Sequence, residues 1–248
     1  MKNESEVTNP TSSAPEPLES LAPREGWIAL HLFYQIDRVQ WTLFSEEEKL
    51  ELKTNLTRLA QEIRAMPNTQ LLLCSVVSPK ADLAVLLLTP DLHDANAFEK
   101  RFGGSLGAEI LTPVYSYLSL TANNDLSPNN PNPKLPDSPV VGFYSLTCRR
   151  GENTNWYSLT EDARSELLKD HAIAQTPWDN SVSRLVTAST GLDDGEWAVT
   201  LFAHDILDLK EFTHQTRYDD FSAQYVDFGE FYVGIQLPLD ELFRRLDL

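Results

Sequence analysis

Hydrophobic positions in the first half of the chain predict a βαββαβ order of elements. The segment WIALHLFY predicts a strand, and Ser45 with Glu48 forms a capping box that predicts the start of a helix. Further apolar runs predict strands at 71–77 and 83–88, a helix at about 95–102 and a strand from about 113 to 120. The apolar positions of the first helix recur at helical spacing and predict its buried face: Leu50, Leu52, Leu56, Leu59 and Ile63.

The second half repeats this order of elements with negligible sequence identity to the first. Its predicted elements are strand 140–147, helix 160–174, strands 182–189 and 197–202, helix 206–217 and strand 231–236. The fold class is therefore α+β, with two tandem ferredoxin-like halves at 25–122 and 139–248, each an antiparallel sheet with helices on one face. Joining the two sheets would form a concave surface that could hold a flat ligand.

Two segments lack these hydrophobic patterns. Residues 1–24 are rich in Pro, Ser and Glu with few aliphatic side chains, so we expect a disordered tail. Residues 123–138 are dominated by turn-forming residues and predict a proline-rich linker or a mobile cover over a site.

Composition narrows the classes of partner and compartment. The 248 residues carry a formal net charge of −17 and no basic cluster, which argues against nucleic acid. No run of about 18 uncharged apolar residues predicts a membrane span, and the N-terminus lacks the features of a signal peptide. With two cysteines and no CxxC pair, the sequence predicts a cytoplasmic protein in a reducing compartment.

Two predicted strands each carry one polar side chain on an apolar face. Alternation places Tyr144 on the face of Val140, Gly142, Leu146 and Cys148, and it places Arg184 on the face of Val182, Val186 and Ala188. Tyr144 is either a core tyrosine with a hydrogen-bonded hydroxyl or a functional residue. Arg184 either faces solvent or, if it is inside, requires a carboxylate, a bound anion or a water-lined pocket.

His171 lies on the apolar stripe of the 160–174 helix, together with Leu167, Leu168 and Ala174. It is a core histidine, a general base or an axial metal ligand. No second ligand at helical spacing supports zinc, and the sequence contains no GxSxG, P-loop or GxGxxG motif. A single histidine in an apolar environment suits a haem iron, because the porphyrin supplies the other four ligands.

Three stretches of the second half resemble the chlorite dismutase superfamily and, within it, the coproheme decarboxylases. They are GFYSLTCRRGENTNWYSL, TGLDDGEWAVTLFAHD and TRYDDFSAQYVDFGEFYVG, with support from HLFYQIDRVQW and TPVYSYLSL in the first half. The resemblance covers the chain from about Trp27 to the C-terminus. It implies two ferredoxin-like halves, an iron porphyrin bound in the second half and a homopentamer.

The resemblance also implies residue roles. His171 is similar to the proximal iron ligand, and Tyr144 to the tyrosine whose radical attacks a propionate. Arg217 and Ser222 resemble propionate-binding residues, and Lys134 is a further candidate for that role from the proline-rich loop. The implied reaction uses hydrogen peroxide to decarboxylate two propionates of iron-coproporphyrin III, giving haem b.

The chain departs from the decarboxylase pattern at several positions. Cys148 stands where decarboxylases have a lysine, so that a nearby cation is missing unless Arg149 replaces it. Arg184 stands where the firmicute decarboxylases have glutamine, and it resembles the arginine that holds the transient anion in chlorite dismutases. Phe221 lies near the position of the dismutase glutamate that hydrogen-bonds the proximal histidine, which predicts a less electron-donating imidazole.

Three functions follow from the resemblance. Decarboxylation of coproheme is favoured by Tyr144 and by the RYDDFSAQY segment. Chlorite dismutation is the alternative that Arg184 supports. A haem-binding or haem-sensing protein without turnover is the third, because Cys148 interrupts the motif.

Overall fold

The computed structural model describes residues 19–107, 109–122, 126 and 131–248. The elements of the first half are β1 (Ile28–Ile36), α1 (Arg38–Leu43), α2 (Glu46–Ala65), β2 (Gln70–Val76), β3 (Leu83–Thr89), α3 (Leu92–Gly103) and β4 (Leu111–Leu120). Those of the second half are β5 (Val140–Cys148), α4 (Glu161–Gln175), β6 (Val182–Ala188), β7 (Trp197–Ala203), α5 (Ile206–Gln215), α6 (Asp220–Tyr225), β8 (Val226–Phe228), β9 (Tyr232–Gln236) and α7 (Leu239–Leu246). Short 3₁₀ turns at Trp156–Ser158 and Thr176–Trp178 precede and follow α4.

The predicted strands and helices are present within a few residues of their expected bounds, and the structure adds α1, α6, β8 and α7. The capping box of α2 is confirmed: Ser45 Oγ accepts from the Glu48 backbone N–H, and the Glu48 carboxylate accepts from the Ser45 N–H. On the predicted apolar face, Leu56 is buried, whereas Leu50 is 65% exposed because it borders a surface groove beside α7.

All pairings between the named strands are antiparallel, and eight strands form a ring. The order is β4-β1-β3-β2 in the first half and β6-β7-β5-β9 in the second. Two short seams join the halves: β2 pairs with β9 over three residue pairs, and β4 pairs with β6 at Leu120 and Ala188. The strand β8 continues along the β9 edge of β5.

The ring has an inner and an outer hydrophobic layer. Inside it, side chains from both halves pack together, among them Phe33, Tyr117, Phe143 and Phe202. Outside, α2, α3 and α7 cover the sheet of the first half, and α5 and α6 help to cover that of the second. Strand alternation is confirmed for β5, because Tyr144 faces the outer layer while Phe143 faces the inside.

The helix α4 covers the second half loosely. Every residue of α4 is described, and among them His171 alone is fully buried, while Leu167 and Leu168 are half-buried. The expectation that Ala174 shares the buried stripe is wrong, because Ala174 is exposed at the last turn of the helix. A space is therefore left between α4 and the sheet beneath it.

Parts of the predicted tail and linker have defined contacts. Ser20 Oγ donates to Asp91 Oδ2 at 2.6 Å, so the end of the tail lies against the N-terminus of α3. Residues 1–18 of the tail, and 123–125 and 127–130 of the linker, lie outside the described residues. In the described part of the chain, no helix is both long and apolar enough to cross a bilayer.

Candidate functional site

A narrow cavity lies between α4 and the outer faces of β5, β6 and β7. It brings together four of the predicted site residues: Tyr144, His171, Arg184 and Ser222. The remaining walls are mainly apolar and come from Leu126, Leu146, Val186, Val199, Phe212 and Phe228, with polar contributions from Gln175 and Thr216. An apolar cavity with a few convergent polar groups is typical of a small-molecule site.

Tyr144 lies in the wall formed by β5 and is 4% exposed. Its ring stacks on Phe231, with centroids 4.6 Å apart, and lies 5.6 Å from the ring of Phe228. Burial raises the pKa of the phenol well above its ordinary value, although the charges of Arg217 and Arg184 oppose the shift. Tyr144 is therefore a neutral phenol in the wall of the cavity.

Arg217 lies behind this tyrosine rather than in the cavity wall. Its guanidinium is 4.7 Å from the ring centre of Phe228 and 5.5 Å from that of Phe231. These are cation–π contacts, which hold the charge next to the aromatic rings that enclose Tyr144. Arg217 remains exposed on its outer side.

Arg184 extends from β6 to the end of α4. Its Nη2 donates to Asp179 Oδ1 at 2.6 Å, and its Nη1 donates to the backbone carbonyl of Gln175 at 3.2 Å. The guanidinium also lies 5.6 Å from the ring centre of Phe212. Arg184 is thus partly buried and paired with a carboxylate, and its charge stabilises the C-terminal end of the α4 dipole.

His171 is held in one orientation by α6. Its Nδ1 lies 3.0 Å from Asp219 Oδ2, and Ser222 Oγ is 3.4 Å away. Asp219 also caps α6, because its Oδ1 accepts from the Ser222 backbone N–H at 2.9 Å. Burial disfavours ionisation of Asp219, yet the hydrogen bonds from His171 and Ser222 hold its pKa below the ordinary value.

This contact corrects one prediction. Phe221 lies edge-on to the imidazole, with ring centroids 5.1 Å apart, as expected from its position. The inference that His171 therefore lacks a carboxylate partner is wrong, because Asp219, two residues earlier, supplies one. A carboxylate that accepts from Nδ1–H leaves the lone pair on Nε2, which is the tautomer that binds a metal.

Within the described residues, no group of three or more His, Cys, Asp or Glu side chains could hold a metal ion. His171 alone does not make a protein metal site. A metal bound by this imidazole would need its other ligands from a bound group, as the iron of a porphyrin does.

Lys134 lies in a neighbouring cavity, not beside Tyr144 and His171. That cavity is bounded by residues 133–136 and the β6 strand, and it shares Arg184 with the first. The amide of Gln70 holds this segment: its Nε2 donates to Pro133 O at 2.8 Å, and its Oε1 accepts from the Leu135 N–H at 2.9 Å.

Arg149 was the possible replacement for the lysine that decarboxylases have at the position of Cys148. Cys148 is buried in the outer layer, and its backbone N–H donates to Glu196. Arg149 binds Asp227 Oδ1 at 2.8 Å and the carbonyls of Ala223 and Gln224, at the end of α6. Arg149 is thus directed away from Tyr144 and does not replace the lysine.

Sequence reasoning missed two contacts of His171. Asp219 could have been found as a helix cap, because it precedes Ser222 by three residues at the start of a short helix. Gln175 follows His171 by four residues, so the two share a face of α4, and its side-chain Nε2 lies 2.5 Å from His171 Nε2. Neither signal indicates by itself which side chains meet in the folded protein.

The ring of eight strands, with helices packed against its outer face, is an architecture that known proteins share. The chlorite dismutase family model matches residues 47–237, and the chain belongs to this family.

More specific relatives follow from whole-chain comparisons. The chain is 34% identical to the coproheme decarboxylase of Staphylococcus carnosus (strain TM300) over an alignment of 236 positions, which covers 88% of this chain and 94% of that protein. A heme-binding protein from Thermus thermophilus is 32% identical, with a TM-score of 0.83 over 95% of this chain and 99% of that chain. The chlorite dismutase of Candidatus Nitrospira defluvii, solved with imidazole, shares the fold at 18% identity, with a TM-score of 0.76 over 91% of this chain and 97% of that chain.

Proposed function

We propose that the chain is a coproheme decarboxylase, a haem-dependent enzyme that uses hydrogen peroxide to convert iron-coproporphyrin III into haem b. The 34% identity to a coproheme decarboxylase over most of both chains supports this substrate. The observation that carries the proposal is the pairing, in one cavity, of an oriented imidazole with a buried phenol.

The donor set of the cavity fits an iron porphyrin. In its neutral form, with the Nδ1–H directed at Asp219, His171 presents a nitrogen lone pair on Nε2. Apolar side chains from the sheet suit the faces of a macrocycle, and Arg184 suits a propionate or another anion. We propose His171 as the proximal ligand, with Arg217, Ser222 and Lys134 as candidates for binding propionates.

The oxidising equivalents come from peroxide acting on the bound iron porphyrin. Tyr144, oxidised by one electron with loss of its phenolic proton, takes a hydrogen atom from the β-carbon of a propionate and becomes a phenol again. Loss of a second electron and of carbon dioxide then leaves a vinyl group, and two such rounds give haem b. The high pKa of Tyr144 keeps the phenol protonated until it is oxidised.

The same proposal extends to the architecture. Numbered along the chain within each half, the strands of the first half lie in the order fourth-first-third-second, and those of the second half, β9-β5-β7-β6, lie in the same order. This shared order supports two ferredoxin-like halves at 25–122 and 139–248. The homopentamer and the cytoplasmic location remain predictions that depend on the family resemblance and on composition.

The test is stepwise loss of carbon dioxide. Protein mixed with ferric coproheme and titrated with peroxide is expected to give two successive mass losses in the porphyrin. Tyr144→Phe should bind the porphyrin and abolish both losses, whereas Tyr218→Phe, which alters a 69% exposed tyrosine, should retain them. An unchanged porphyrin mass with the natural protein would refute the proposal.

Chlorite dismutation is the second candidate, favoured by two contacts. Arg184 and His171 line the same cavity, and Asp219 gives the imidazole the carboxylate partner that makes it more electron-donating. Oxygen release from chlorite by the haem-loaded protein, lost in Arg184→Ala, would establish this function. Binding of porphyrin with neither reaction would instead support a carrier or sensor.

A further inference from the structure

Gln175 occupies the side of His171 that a metal would need. The carboxylate of Asp219 can only accept, so the neutral imidazole that fits this contact has its proton on Nδ1 and its lone pair on Nε2. In that tautomer the side-chain amide of Gln175, whose nitrogen is 2.5 Å from Nε2, donates an N–H into the lone pair.

Gln175 is also fixed by its backbone. Its carbonyl oxygen accepts from Arg184 Nη1, and Arg184 is bound in turn by Asp179. The residue thus connects the last turn of α4 to the facing strand β6, and this connection keeps the amide directed at the imidazole. Half-burial of Gln175 reduces the competition from water for the same hydrogen bond.

A nitrogen lone pair serves one partner at a time. From this geometry we propose that the amide of Gln175 competes with the porphyrin iron for Nε2 of His171, and so limits how tightly and how fast the porphyrin is captured. This inference depends on the proposed role of His171 as proximal ligand. Gln175 acts here through His171 and is a positioning residue, not a catalytic one.

The test compares porphyrin binding by the natural protein and by Gln175→Leu, which keeps most of the side-chain volume but removes the amide. Ferric coproporphyrin should bind the leucine variant about threefold to tenfold more tightly, the effect of removing one competing neutral hydrogen bond, with a faster association rate. Absorbance in the Soret region measures both quantities. Gln224→Leu, at an exposed glutamine of α6, controls for the loss of a surface amide and should leave both unchanged.

Two further experiments distinguish competition for His171 Nε2 from a change in the space available to the porphyrin. Metal-free coproporphyrin makes no bond to His171, so its affinity should not respond to Gln175→Leu. In a His171→Ala background, the leucine should no longer improve binding of the ferric porphyrin. Gln175→Ala provides a second variant if the leucine disturbs the end of α4.

The outcomes distinguish this inference from the proposed function. If the natural protein binds ferric coproporphyrin and the leucine variant binds it no better, the competition does not exist. Equal gains for the ferric and metal-free porphyrins would mean that only space was gained, which also overturns the inference. If the natural protein binds no porphyrin at all, the proposed function itself fails.

Discussion

The carboxylate of Asp219 accepts two hydrogen bonds, one from His171 Nδ1 and one from the Ser222 backbone N–H. The side-chain amide of an asparagine has one oxygen and could not replace both carboxylate oxygens. In Asp219→Asn, the side chain can keep either the cap on the Ser222 N–H or the acceptor for His171 Nδ1, but each orientation of the amide loses one of the two. Because asparagine is a good helix cap, we expect the bond to His171 to be lost. The affinity for ferric porphyrin should then fall about 10-fold to 100-fold, measured by Soret titration.

Asp220→Asn is the matched control. Asp220 is the exposed neighbour of Asp219, and it contacts Gln224 on the outer side of α6. Its substitution removes the same charge at nearly the same place without touching His171. An equal fall in both variants would assign the effect to net charge and not to orientation of the imidazole.

His31 gives the stability of the protein a dependence on pH. The imidazole is 2% exposed inside the ring of strands, with its Nε2 2.8 Å from Thr200 Oγ1. Burial lowers its pKa from 6.5 to about 3, against a smaller opposing effect of the backbone at Tyr117. Between these two pH values the unfolded chain binds a proton that the folded protein does not. Stability should therefore fall as the pH decreases through this window, by at most about 1.4 kcal/mol per pH unit from this residue.

Urea denaturation between pH 7 and pH 4 measures this contribution. His31→Gln retains a neutral hydrogen-bonding side chain and should show a shallower loss of stability towards acid pH. If the variant and the natural protein have parallel profiles, His31 is not the group responsible.

At the residue scale, the sequence predicts what lies on one element better than what meets between elements. Period-two alternation placed Tyr144 and Arg184 on the correct strand faces, and both line the cavity. The pairing of His171 with Asp219 spans 48 positions and depends on how α4 and α6 pack. No local pattern encodes such a contact, so the carboxylate partner of His171 was not predicted.

At the scale of elements, the segment 131–136 depends on one side chain of β2. Gln70→Ala removes two hydrogen bonds, to Pro133 and Leu135, and should destabilise the protein by about 1–3 kcal/mol. The amide of Leu135 should exchange with solvent faster, while exchange in β3 changes much less. Hydrogen exchange followed by mass spectrometry measures both regions.

Gln35→Ala provides the comparison for this prediction. Gln35 makes one longer hydrogen bond, from its Nε2 to Pro79 O at 3.3 Å, on an exposed part of β1. Its loss should alter neither the exchange of Leu135 nor, to any large extent, the stability. Unchanged exchange at Leu135 in Gln70→Ala would show that other contacts hold the segment.

Long and strongly patterned elements were predicted well, and short ones were missed. The helix α2 has both a capping box and a recurring apolar face, so its first residue was predicted correctly. The helices α1 and α6 have only six residues each, too few for a periodicity to appear. Helical spacing assigned Leu50 of α2 and Ala174 of α4 to the core, but both side chains are exposed.

At the scale of the molecule, the closure of the ring depends on a close approach at Gly234. A Cβ atom at this position would lie 2.9 Å from Cys74 Cβ and 3.1 Å from the Ser75 carbonyl oxygen, at the seam between β9 and β2. Gly234→Val should therefore destabilise the protein by about 1–3 kcal/mol or more. Because both halves share the inner core, exchange should accelerate in β3 and β7 together.

Gly103→Ala is the control for this substitution. Its Cβ would meet no atom within 4 Å, and the residue lies at the end of α3. We expect a neutral or slightly stabilising effect of up to about 1 kcal/mol. If Gly234→Val loosened β7 without loosening β3, the halves would be independent and the shared core would contribute little.

The two seams also explain why the sequence predicts the elements within each half better than the strand pairings between the halves. The order of elements within a half follows from local patterns, whereas the halves meet through three residue pairs at one seam and one pair at the other. Pairings this short leave no alternating stretch of their own. The inner core is formed by residues such as Phe33 and Phe143. In a single half these side chains would lie on the face of the sheet that no helix covers, so local patterns do not indicate that they are buried.

The loose packing of α4 has a consequence for the life of the protein. A helix that buries a single side chain completely gains little from its own core, so a bound macrocycle would become the layer on which it rests. By mass action, the supply of tetrapyrrole would then set what fraction of molecules keeps this helix docked and resists proteolysis. When the tetrapyrrole is scarce, the protein would be degraded faster, so its cellular level would follow the supply of the tetrapyrrole.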